Sequence, residues 1–101
     1  MAAAGALWTR LWACPPWTTE ARRLRTQVAA FDFEGLNAGA RLWKLRDEVE
    51  RCVAVADAAP RRTDAQRWML RELIAALDAL RNEALTRVAV GTLRCPHPEE
   101  L

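Results

Sequence analysis

Apolar residues recur at three- and four-residue intervals along two long stretches, separated by a short interruption. From Asp32 to Ala58 the stripe is Leu42, Leu45, Val49, Cys52, Val53 and Ala56. From Asp64 to about Val90 it is Leu70, Leu73, Ile74, Leu77, Leu80, Ala84 and Val88, ended by Gly91. This period is that of an amphipathic helix with one buried side. Ala59-Pro60-Arg61-Arg62-Thr63 breaks the pattern, and so short a connection predicts two antiparallel helices. A shorter pattern precedes them, with Thr18 or Thr19 as N-cap, Glu20 in the first turn, and Leu24, Val28 and Phe31 on one stripe. Asp32 or a neighbour is expected to cap the second helix. Gly35 and Gly39 weaken the opening turns of that helix by ~1 kcal/mol each relative to alanine, or let another helix approach closely. The predicted fold is therefore all-α: an antiparallel hairpin of two long helices plus a shorter N-terminal helix, forming a three-helix bundle over residues 18–91.

The ends read differently. Residues 1–17 form an N-terminal arm, expected either to dock on the bundle or to be loosely ordered. In it Leu7, Trp8, Leu11 and Trp12 give one greasy side, and Pro15-Pro16 ends any helix. Residues 92–101, with Pro96 and Pro98, are expected to form a flexible tail.

Composition narrows the class. The 101 residues allow one domain with a thin core, burying ~60–68% of the unfolded surface. Apolar residues at 51% and charged residues at 28% fit a folded globular chain. A net charge of +2 is too small to imply nucleic acid by itself, and a nucleic-acid accessory role for the basic residues is only a third, weaker expectation. Arg22, Arg23, Arg25 and Arg41 belong to an arginine-rich stretch that reads as a solvated face. Cys14, Cys52 and Cys95 are odd in number and widely spaced, which fits a reducing, cytoplasmic setting. Cys95-Pro96-His97 has no second ligand pair, so no metal and no cofactor are expected. No stretch approaches the ~20 apolar residues of a membrane span.

Nothing in the pattern forms an active site. Asp47, Glu48 and Glu50 lie among Lys44, Arg46 and Arg51, the mark of a salt-bridged helix surface. No nucleophile motif and no phosphate loop are present, so neither catalysis nor a small-molecule substrate is expected. Two tryptophans stand out instead. At ~100° per residue Trp68 lies about 160° from Leu70, on a back face shared with Ala75 and Ala79. Trp43 likewise opposes Leu45, beside Leu36 and Ala40. The N-terminal helix can cover one such face, and Trp43 is nearer to it in sequence. Trp68 then lies either under the N-terminal arm or against a partner, where a tryptophan on a small-residue surface is a typical anchor.

The stretch Ala30-Phe31-Asp32-Phe33-Glu34-Gly35-Leu36-Asn37, the linker Ala58-Ala59-Pro60 and the run Met69-Leu70-Arg71-Glu72-Leu73-Ile74-Ala75-Ala76-Leu77-Asp78 together resemble the FliT family of flagellar export chaperones. The likeness covers residues 18–90. It implies a cytoplasmic chaperone that binds a helical segment of the filament-cap subunit before type III export, with contacts to export or regulatory proteins. Client contacts in that family map to Trp68, Met69, Leu73, Ile74 and Leu77. Ala75, Ala79 and Trp43 complete the candidate partner-binding set. Thr92–Leu101 offers no counterpart to the family's masking fourth helix. A second expectation is a helical structural subunit of a larger complex, with residues 1–17 as an organelle-targeting segment. Either way an uncovered tryptophan face is able to pair with its own copy, giving a homo-oligomer.

Overall fold

The structure, a computed structural model, describes residues 16–94. The expectations for residues 1–15 and 95–101 lie outside it. The described residues form three helices: α1 (Pro16–Ala29), α2 (Ala38–Ala58) and α3 (Asp64–Ala89). They form the expected all-α three-helix bundle.

The start of α3 is written locally. Thr63 Oγ1 accepts from the Gln66 backbone N–H at 3.1 Å, and Gln66 Oε1 accepts from the Thr63 N–H at 2.9 Å. This reciprocal cap satisfies two of the donors that a helix start leaves open. Asp64 adds a negative charge at the positive end of the helix dipole and pairs with Arg67. At the other end Gly91 adopts φ 79°, a left-handed conformation cheap only for glycine. Thr92 N–H then donates to Arg87 O at 2.8 Å and Gly91 N–H to Val88 O at 3.0 Å, closing a Schellman turn. That turn sends Leu93 back onto Ala38, Leu42 and Ala84, so the expected loose tail begins with a buried side chain.

The second helix begins later than Asp32. The Asp32 carboxylate accepts from the Glu34 N–H at 2.9 Å, forming a local turn and not a helix cap. Arg41, in the first turns of α2, donates back to Asp32 O at 2.9 Å and to Leu36 O at 2.8 Å. A Cβ on Gly35 would lie 2.6 Å from the Arg41 guanidinium, so that glycine serves the loop. Asn37 leads into α2 with φ 55°, which asparagine tolerates better than most residues. Leu36 is consequently an exposed loop residue, not part of a helical face. Phe31 and Phe33 meet edge to face at 4.9 Å, with Arg41 over the first ring and Arg87 over the second.

The first helix starts earlier than Thr18. Pro16 is pre-set for a first helical turn. Trp17, assigned by sequence to the arm, lies 5% exposed in the main core. Its carbonyl accepts from the Cys52 thiol at 3.6 Å, and Arg23 reaches Glu48 at 3.2 Å. These pairs run α1 antiparallel to α2. α1 packs more extensively on each long helix than the long helices pack on each other. One core joins Trp17, Ala21, Leu24 and Val28 to Leu45, Val49, Cys52 and Ala56 and to Leu70, Leu73 and Leu77. A smaller one, at the far end, joins Ala38, Leu42, Ala84 and Leu93.

Candidate functional site

Three stripes of α3 have different fates, and the helical period decides which. Leu70, Leu73, Leu77 and Ala84 point inward and are buried. Leu73 and Leu77, expected to touch a client, are 0% and 3% exposed and hold the bundle together instead. They offer no surface. Met69 is half-buried against the same core.

The opposite side of the helix is open. Trp68 is 60% exposed, with Ala75 and Ala79 exposed about two and three turns further along its stripe. Ile74 is 40% exposed and borders a shallow cleft toward α2, where Val49 and Val53 lie. Leu85 is 41% exposed further along α3. Arg71, Asp78 and Asn82 are exposed between these apolar side chains. The face thus carries one large indole, two small residues further along its stripe, and polar side chains between them.

Trp43 is not its equal on α2. It is half-buried against the Ala38, Leu42, Ala84 and Leu93 cluster, with the Arg46 guanidinium 5.4 Å from its ring centroid. Its buried indole N–H finds no acceptor among the described residues, and neither does that of Trp17. Both rings therefore contribute through packing and not through polar bonds. Trp43 leaves the docking set on these grounds. The return of Leu93 seals this end of the bundle, and no helical period could have announced it.

The groove between α1 and α2 is a second surface that the sequence did not mark. Pro16, Trp17, Cys52 and Val55 line it, with Glu20 and Glu48 at its rim. Arg23 bridges those two carboxylates. The Glu20 carboxyl is held below its ordinary range by the hydrogen bond from Arg23. Burial pushes the Cys52 thiol up, so at neutral pH it is a protonated core atom and a poor nucleophile. Val55, 60% exposed, extends the groove's apolar lip. Both acids are thus paired with Arg23 at the groove's rim.

Among the described residues no cluster of three or more metal-ligating side chains occurs. No helix there is long and apolar enough to cross a membrane. Comparison with known protein families, with curated proteins and with solved structures returns no match to this chain.

Proposed function

We propose that the chain is a helix-docking protein, and that the outer face of α3 receives an apolar helical segment of another polypeptide. The exposed Trp68 beside Ala75 and Ala79 carries this reading. Large aromatic side chains in water are costly to leave uncovered, and an indole beside small residues lets a second helix approach closely. Helix-in-groove recognition of this kind needs anchors at three- and four-residue spacing, which the guest would supply.

The likeness of residues 18–90 to flagellar export chaperones supplies a specific guest: the terminal helix of a filament-cap subunit, held before export. On that reading the client contacts reduce to Trp68, Ile74, Ala75 and Ala79, with Met69 at the margin. Leu73 and Leu77 act behind them by keeping α3 rigid.

The test is a titration of the purified chain with the terminal helical segment of the filament-cap protein from the same organism. Trp68→Ala is expected to weaken binding by more than ~1.4 kcal/mol, a factor of ten. An unchanged affinity in the folded variant removes Trp68 as the anchor. No binding by the unsubstituted chain removes that client.

A further inference from the structure

Trp68, Arg71, Ala75, Asp78, Asn82 and Leu85 follow one another along α3 at spacings of three, four, three, four and three. All six side chains are exposed. Alternation of threes and fours is the seam along which two helices pack. This seam is also its own reverse. Counted from Leu85 back to Trp68 the spacings are identical, so the series is symmetric about the midpoint between Ala76 and Leu77.

We infer that this seam pairs with the same seam of a second copy of the chain, antiparallel about a two-fold axis. The inference rests on α3's outer face being a docking surface and names its partner. In the symmetric register Trp68 meets Leu85 of the partner subunit at each end. These are the two large apolar side chains on the seam, 60% and 41% exposed in the single chain. Arg71 meets Asn82 of the partner subunit, and Ala75 meets Asp78 of the partner subunit. Arg71 then lies within about one helical turn of the partner subunit's Asp78, a reach of ~5 Å that an arginine side chain spans.

Charge selects this arrangement. A parallel pair would stack Arg71 on its own copy and Asp78 on its own copy, and like charges in register repel. The antiparallel pair brings opposite charges together twice. Both side chains are exposed. Arg71 makes no ion pair among the described residues. Asp78 is ion-paired with Arg81 on its own helix at 3.6 Å and, 60% exposed, keeps a side open to a second arginine. A two-fold contact repeats every favourable pair, which is why self-complementary patches so often produce symmetric dimers. The seam runs only ~26 Å along the helix, and four of its six positions are Ala or polar, so the pair is weak and concentration-dependent. Self-pairing and a foreign helix compete for the same indole, so a guest would have to displace the second copy.

Sedimentation velocity of the full chain from about 1 μM to about 1 mM tests this. The mass is expected to rise from 11.4 kDa toward twice that value. Trp68→Ala and Leu85→Ala are each expected to weaken dimerisation by about tenfold or more. Arg71→Asp and Asp78→Arg are each expected to weaken it as well. The double variant Arg71→Asp/Asp78→Arg restores it, because the swapped charges face each other again across the axis. Within one chain these two positions are ~10 Å apart along the helix and do not touch, so the rescue reports only the contact between copies. Circular dichroism confirms that the exposed-site variants stay helical. A mass of 11.4 kDa at every concentration overturns the inference, as does a double variant no better than its singles. A monomer that still binds a foreign helix through Trp68 overturns self-pairing alone. A monomer that binds neither overturns the docking reading with it.

Discussion

The inner and outer faces of α3 are built from the same twenty-six residues, yet they answer to different constraints. Inward, Leu70, Leu73, Leu77 and Ala84 are fixed by contact with α1 and α2, where a missing methylene leaves a void. Outward, Trp68, Ala75 and Leu85 meet water, and nothing in the bundle requires them. A large apolar side chain kept where the fold gains little from it is the clearest sign that something outside the fold uses it. The contrast also explains why Trp43 and Trp68 diverge. Leu93 folds back beside Trp43, while no described segment returns over Trp68.

Substitution on the inner face should give the largest effect. Leu73→Ala removes a fully buried side chain at the junction of all three helices. The expected loss is about 2–5 kcal/mol in urea unfolding, the range for leucine truncation in a packed core. A loss below ~1 kcal/mol would mean that the three helices do not share one core. The intermediate effect belongs to the helix start, which neither face controls. Thr63→Ala deletes the acceptor for the Gln66 N–H and should cost ~1 kcal/mol, read as a lower urea midpoint. An unchanged midpoint would show that solvent satisfies that donor equally well.

How far the sequence spoke depended on how local the deciding contacts were. Thr63, Gln66 and Gly91 act within four or five residues of themselves, so both ends of α3 were legible. The stripe of inward leucines was legible for the same reason, since helical period alone places it. The entry to α2 was not. Asp32 is equally suited to capping a helix and to closing a turn, and the choice is made by Arg41 and Arg87 reaching back from other elements. Trp17 was hidden by the Pro15-Pro16 pair, which reads as a break, although Pro16 serves as the helix start. At the candidate site the period identified Trp68, Ala75 and Ala79 as outward. The resemblance added Leu73 and Leu77, which the core claims. Likeness between amphipathic hairpins is carried mainly by core positions, and such positions are the least available to a partner.

Trp68→Ala should give the smallest change in stability and so tests the contrast most directly. The indole is 60% exposed, so truncation removes only the fraction that rests on its own helix. Alanine is also the better helix former, which offsets ~0.5 kcal/mol of that loss. The net effect on the urea midpoint should correspond to less than ~1 kcal/mol, the scale of surface substitutions. Measured at low protein concentration, where copies of the chain are apart, this value isolates the single bundle. A loss as large as that of Leu73→Ala would show that the indole is packed inside the monomer, and the outer face would then be core. A small loss at low concentration that grows as the protein is concentrated would locate the missing stabilisation between molecules, because binding adds stability only where the bound state is populated.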